Sequence, residues 1–242
     1  MPRPSTLEAL VGLAEDQWGL FTRQQAAAAG LAWTTLSRLV AGGAAERVAH
    51  GVYRLRGSPP PDDLALRAAW LQLAPDTPAW ERASDGGVVS HRSAAALYGL
   101  GELPADVHEF TLPVRRQSRR ADVRLHHGPV ADGEWLRLRG LPVTRPSRIG
   151  RDLLADREDP EAVARVVADA LRGVHDYPAT VAEAIAPYAG RFRLRRGDGL
   201  ALLGWLLGLT GDPEQARWLR EAEASVAREA PPGRTERVGS AP

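Results

Sequence analysis

The stretch GLFTRQQAAAAGLAWTTLSRLVAGGAAERVAHGVYRLR, residues 19–56, decides the fold. Within it, Thr22-Arg-Gln-Gln25 has the form of a capping box, in which the threonine hydroxyl accepts from the amide three residues on and the glutamine side chain reaches back. The alanine run that follows has high helix propensity, and Gly30 supplies the left-handed residue that ends it. A longer helix is expected over residues 33–41, with Leu36, Leu39 and Val40 on one face, Thr34, Ser37 and Arg38 on the other, and Gly42-Gly43 as its stop. Residues 45–49 and 52–56 are short runs rich in β-formers, and the His50-Gly51 between them reads as a tight hairpin.

Working outward, Leu7, Leu10, Val11 and Ala14 lie at helical spacing, so a first amphipathic helix is expected over residues 6–16, capped by Ser5 or Thr6. Residues 18–21 should form a short extended link. Helix, helix, turn, helix, hairpin within about sixty residues is the order of a winged helix-turn-helix. The Gly57-Ser-Pro-Pro-Pro-Asp-Asp63 segment combines φ-locked prolines with polar residues, as a semi-rigid linker does.

Downstream, a helix is expected over residues 64–73, then a polar, Pro-rich loop. Val88-Val-Ser90 reads as a short buried strand whose serine caps a helix ending near Gly99. Residues 109–113 and 123–127 alternate like strands, residues 141–145 add another, and a helix starts near Ser147. Asp159-Pro160 should cap a helix that Gly173 closes, because proline at the first helical position loses no needed hydrogen bond. Helical patterns follow at 180–188, 198–209 and 213–229. The expected fold class is α+β: an N-terminal winged helix-turn-helix followed by a mixed α/β C-terminal domain ending in helices. The expected boundaries are 1–57 for the DNA-binding domain, 58–63 for the linker, 64–230 for the second domain and 231–242 for a disordered tail.

Composition narrows the function classes. With 44% hydrophobic and 25% charged residues in a chain of 242, most of it is able to bury a core. The absence of cysteine removes disulfides, thiolate nucleophiles and cysteine-rich zinc sites, and fits a reducing cytoplasm. The N-terminus does not read as a signal peptide, and the most apolar stretch, residues 200–209, is about half the length a bilayer span needs, so no membrane association is expected. The net charge of +1 conceals a basic middle: arginines far outnumber acids over residues 114–151, and the balance reverses over 152–183. All the cationic side chains other than histidine are arginine, so arginine by itself says little about phosphate binding here.

The candidate DNA contacts are Trp33, Thr34, Thr35, Ser37 and Arg38 on the third helix, where such helices meet base edges, with Arg47, His50, Arg54 and Arg56 on the hairpin and Arg23 at the start of the second helix for the phosphate backbone. Arg115, Arg116, Arg119, Arg120 and Arg124 are candidates for a second phosphate-binding surface; a solvated loop or a dimer interface would also fit that run. No catalytic site is expected. Ser90 and His91 are adjacent rather than facing, no G-x-S-x-G elbow is present, and nothing suggests a third group to orient the histidine. His126 and His127 point to opposite faces of a strand and cannot chelate one metal together. No phosphate-loop or dinucleotide fingerprint appears, so no cofactor is expected. Trp135, Trp205 and Trp218 read as core residues.

Taken together, Gly19-Leu-Phe-Thr-Arg-Gln-Gln-Ala, Arg47-Val-Ala-His-Gly-Val-Tyr-Arg-Leu55, Val89-Ser-His-Arg-Ser-Ala-Ala-Ala-Leu-Tyr-Gly-Leu100, Thr111-Leu-Pro-Val-Arg-Arg and Leu141-Pro-Val-Thr-Arg-Pro-Ser-Arg-Ile-Gly-Arg-Asp152 resemble the AbiEi antitoxin family of bacterial type IV toxin-antitoxin systems, in its actinobacterial branch. The resemblance implies a winged helix that represses its own operon by binding inverted repeats in double-stranded promoter DNA, and a C-terminal domain needed for antitoxicity. The implied functional partner is a nucleotidyltransferase-like toxin, opposed without necessary contact. Ala32, which cannot cap the recognition helix, and Ser147, where a bulkier or Thr-like polar residue is expected, depart from the pattern. The rival reading is a winged-helix regulator with no toxin partner, whose second domain senses a ligand or dimerises. An enzyme, such as a nuclease holding substrate on the basic stretch, is a more distant alternative.

Overall fold

The computed structural model describes residues 4–229, so the tail expected at 231–242 lies outside the described residues. Contacts divide the chain into two units, one of residues up to Gly99 together with Leu103–Arg145, the other of Leu100–Glu102 together with residues from Pro146 onward.

The first unit opens with α1 (Pro4–Glu15), β1 (Leu20–Thr22), α2 (Arg23–Ala28), α3 (Trp33–Ala41), β2 (Ala45–Ala49) and β3 (Val52–Leu55). The capping box forms as its spacing requires: Thr22 Oγ1 accepts from Gln25 N at 3.1 Å while Gln25 Oε1 accepts from Thr22 N at 2.9 Å. Trp18 and Gly19 are not extended; both have positive φ, 60° and 77°, and this left-handed turn sets the chain into β1. The three strands form an antiparallel sheet in the order β1-β3-β2. Leu10, Ala14, Phe21, Ala26, Leu31, Leu36, Ala45 and Tyr53 make its core, with Phe21 stacked on Tyr53 at 5.7 Å. At roughly 1.5–3 kcal/mol per large buried side chain, this cluster is what holds three short helices to so small a sheet.

The same unit continues through α4 (Leu64–Leu71), β4 (Val88–Val89), α5 (His91–Tyr98), β5 (His108–Leu112), β6 (Val123–His127), β7 (Trp135–Leu138) and β8 (Leu141–Thr144). These strands form a mixed sheet in the order β6-β5-β4-β8-β7, with β5–β6 and β4–β8 parallel. Strand β7 was not anticipated from the sequence, and Trp135 within it is half-buried rather than core. Ser90 stands at the N-cap of α5 but does not cap it.

The sheet and the winged helix are joined by buried hydrogen bonds rather than by the linker alone. Gln17, fully buried, pairs amide to amide with Gln25, donates to Leu20 O and accepts from Ala79 N at 2.9 Å. Gln25 Nε2 donates to Thr77 O, and Thr22 Oγ1 donates to Pro75 O. Nearby, the Arg82 guanidinium lies 3.6 Å from the Trp70 ring centre and donates to Trp70 O and Gly86 O; burial pushes its pKa down to about 9, which leaves it protonated at neutral pH.

The second unit is helical: α6 (Pro146–Ala155), α7 (Pro160–Arg172), α8 (Pro178–Ile185), a 3-10 segment over Ala186–Phe192, α9 (Gly199–Thr210) and α10 (Gln215–Glu229). Asp159 caps α7 by accepting from Ala162 N, with Pro160 in the first turn. Gly199 lets α9 approach α8 closely, since a Cβ there would lie 2.0 Å from Ala182 O. Val163, Val167, Ile185, Leu203, Leu206 and Trp218 are core, but Trp205 is 36% exposed and packs at a tilt against Phe192, ring centres 4.6 Å apart, contrary to the expectation that it is buried. Among the described residues no helix is long and apolar enough to cross a membrane.

Candidate nucleic-acid interface

Helix α3 buries Leu36 and half-buries Leu39 and Val40 against the small core. At about 100° per residue, Trp33, Ser37, Thr34 and Arg38 fall within one arc of about 140° on its other side. Trp33, Thr34 and Arg38 are exposed, while Ser37 and Thr35, also expected as contacts, are half-buried, Thr35 on the side toward Leu39. Trp33 is 50% exposed at the first helical position, with the Arg23 guanidinium 4.5 Å from its ring centre. Such a cation–π contact holds the arginine in place while leaving its N–H groups directed outward. Arg38 Nε lies 3.4 Å from Thr34 O. Ala32 gives α3 no side-chain cap, as its composition required.

The wing is the antiparallel β2–β3 hairpin, turned at His50-Gly51 with Gly51 at φ 72°. Its register shifts between Arg47 and Ala49, a bulge that brings Arg47 Nη2 to 3.0 Å from His50 Nδ1. Arg47, His50 and Arg56 are exposed. Arg54, expected to grip phosphate, is engaged elsewhere. Glu46 stands opposite it in the register, the two form an ion pair at 2.7 Å, and Arg54 Nη1 also donates to Ser58 O, leaving its side chain 15% exposed.

The arginine run between β5 and β6 divides in the same way. Arg115 and Arg119 are exposed to solvent. Arg116 Nη1 donates to Leu73 O at 2.8 Å. Arg120 makes a two-pronged pair with Asp122, which raises its own pKa and lowers that of the carboxylate, and it also donates to Gln72 Oε1. Arg124 lies 3.5 Å from Glu109 and is 60% exposed.

A buried polar set under the sheet was missed in the sequence. Ser90 Oγ accepts from Thr111 Oγ1 at 2.8 Å and lies 2.9 Å from His91 Nδ1. His91 stacks on His126 at 3.5 Å, and His126 Nε2 is 3.3 Å from Glu109 Oε1. Glu109 therefore orients His126, and His91 meets that pair through its ring. Burial by itself would raise the Glu109 carboxyl, but hydrogen bonds from His126 and from Arg92 N, with the charges of His91 and His126, hold it below its ordinary value. Ser90 is fully buried, and the set ties β4, β5, β6 and α5 together. His127 is exposed on the opposite face from His126, as strand alternation requires.

A helix-turn-helix with an exposed polar arc, followed by an arginine-bearing two-stranded wing, defines the class: a winged-helix DNA-binding regulator. Over residues 8–56, which hold the helix-turn-helix and the wing, the chain matches the family described as "Transcriptional regulator, AbiEi antitoxin". No curated protein matches the chain.

Proposed function

We propose that this protein is an antitoxin that represses its own operon by binding inverted repeats in the promoter, with α3 in the major groove and the β2–β3 wing on the adjacent backbone, and that it counteracts a nucleotidyltransferase-like toxin without having to touch it. The observation that carries the DNA-binding part is the α3 arc of Trp33, Thr34, Ser37 and Arg38, set beside outward-facing Arg23, Arg47 and Arg56. Arginine on such an arc bonds guanine through two parallel N–H groups, and the flanking cations fix register on phosphates. Arg115 and Arg119 extend the positive surface as phosphate ligands. Residues 1–57 act as the DNA-reading domain and 64–230 as the part needed for antitoxicity.

The test is titration of the full-length protein onto its own upstream duplex and onto a scrambled duplex across a salt series. Tighter binding to the upstream duplex, with log affinity falling linearly against log salt, is expected. Equal affinity for both duplexes would remove the repressor role.

One feature favours the second reading, a regulator whose second part senses a ligand. A cleft of about 640 Å³ in the helical unit, lined by Thr180, Glu183, Arg195, Arg196 and Asp198 over an alanine floor, falls in the size range of small-molecule sites. A nucleotidyltransferase gene beside this one, whose toxicity the protein relieves on co-expression, supports the antitoxin; growth unaffected by the neighbouring gene supports the sensor.

A further inference from the structure

The wing turn is held from two sides through its carbonyl groups. Gly51 O accepts from Arg23 N at 2.8 Å, a bond inside the winged helix itself. His50 O accepts from Gln72 Nε2 at 2.7 Å, a bond reaching 22 residues along the chain to the C-cap of α4. Gln72 is well placed as an anchor, because the residues before it, Trp70 and Leu71, are fully buried. Its other end, Oε1, accepts from Arg120 Nη1, and Arg120 is in turn fixed by the paired bonds to Asp122, Nε to Oδ1 at 2.9 Å and Nη2 to Oδ2. Asp122 is itself placed by the sheet, since its carbonyl accepts from His108 N at the start of β5. Four side-chain and backbone groups thus run in series from the edge of the five-stranded sheet to the tip of the wing. With Arg120 donating at one end and a carbonyl accepting at the other, the Gln72 amide satisfies both in one orientation only.

We propose that Gln72 is a positioning residue for DNA binding: it fixes the wing turn, with Arg120 and Asp122 orienting it, so that Arg120 serves the wing rather than a phosphate. The proposal rests on the DNA-binding reading above. Strand β1 supports β3, but β2 is an edge strand paired on one side only and its register with β3 shifts between Arg47 and Ala49, so the turn end of this short ribbon is its least supported part. Ordering such a ribbon at the moment of binding subtracts from affinity, and a tether that orders it beforehand removes that loss. It also explains why one arginine in a run of exposed ones is turned back onto a carboxylate and an amide.

The experiment uses the full chain. Gln72→Ala and Arg120→Ala are each expected to weaken binding to the upstream duplex about five-fold, the worth of one net hydrogen bond, while the slope of log affinity against log salt stays at the wild-type value. The double variant is expected to be no weaker than either single one, because both break the same series. Gln72→Glu, which keeps the acceptor for Arg120 but presents no donor to His50 O, should match Gln72→Ala and guards against a folding defect in the alanine variant. Independently of DNA, hydrogen exchange of the β2–β3 amides in the free protein should quicken in all of these variants and in Asp122→Asn. Wild-type affinity and wild-type wing exchange in Gln72→Ala, or a salt slope reduced by about one in Arg120→Ala, would overturn the proposal. Faster wing exchange with no binding of any duplex by the wild-type protein would instead overturn the DNA-binding reading and leave the tether standing.

Discussion

Arg54 and Arg56 are two residues apart and indistinguishable by composition, yet the structure gives them different work. Glu46 pairs across the hairpin with Arg54, whereas Arg56 lies past Leu55, the last residue of β3, with its side chain in solvent. Arg56→Ala is therefore expected to weaken binding to all duplexes alike and to lower the salt slope by about one. Arg54→Ala should leave the slope unchanged and cost about 1 kcal/mol of folding stability instead, through the lost ion pair and the Ser58 hydrogen bond. A slope lowered equally by both variants would return Arg54 to the phosphate contacts. On the recognition helix, Arg38→Ala should remove about 1–3 kcal/mol of preference for the operator over a scrambled duplex; an equal loss on the two duplexes would refute base reading by this residue. Which arginines face outward was beyond the sequence because it depends on register. The exposed face of α3 was legible because helical periodicity alone sets it, and Thr35 and Ser37, both half-buried, are where periodicity gave too coarse an answer.

Among the elements, the capping box of α2 was readable because its two partners lie three residues apart, and it forms as expected. The same Thr22 and Gln25 have a second role that was not readable. Their remaining hydrogen bonds go to Pro75 and Thr77, and the Gln17 beside them reaches Ala79, a partner 62 residues away. Strand β7 escaped for a related reason: Trp135-Leu-Arg-Leu138 does not alternate cleanly, and its place is set by antiparallel pairing with β8. Gln17 therefore marks the joint between the helix-turn-helix and the loop at 75–79. Replacing it with alanine leaves the Leu20 carbonyl, the Ala79 amide and the Gln25 amide in a dry site, and unmade buried hydrogen bonds cost about 1–3 kcal/mol for each group. Gln17→Ala should lower the unfolding free energy by about 3 kcal/mol in urea titration. A loss under about 0.5 kcal/mol would show that the joint is wet and that the winged helix stands on its own core.

For the molecule as a whole, two neighbouring residues of β5, His108 and Glu109, are held away from their ordinary titration ranges and bear on how stability responds to pH. Burial, partly offset by Asp122 and reinforced by Arg120, pushes His108 below its ordinary value, and the hydrogen-bonded Glu109 carboxyl next to it is also held low. The exposed Asp122 is shifted down by Arg120 as well, though solvent screens it. At neutral pH these groups carry the same charge folded and unfolded. On acidification through about 6.5, where histidine in an unfolded chain titrates, the unfolded state takes up a proton that folded His108 refuses. His108 therefore subtracts from stability there, and Glu109 subtracts again below about 4.3, where an unfolded glutamate protonates before Glu109 does. Both shifts thus have one sign, with stability present at neutral pH and lost toward acid. Urea midpoints of the unit that holds β5 are expected to drop between pH 7.5 and 5.5 and to drop further by pH 4. In His108→Gln the first of these declines should shrink, and in Glu109→Gln, less stable at neutral pH, the second should. A midpoint that rises from pH 7.5 to 5.5, or a Glu109→Gln variant as acid-sensitive as the wild type below about pH 4.3, would mean that the buried set is solvated and that the sheet is held by its apolar face alone.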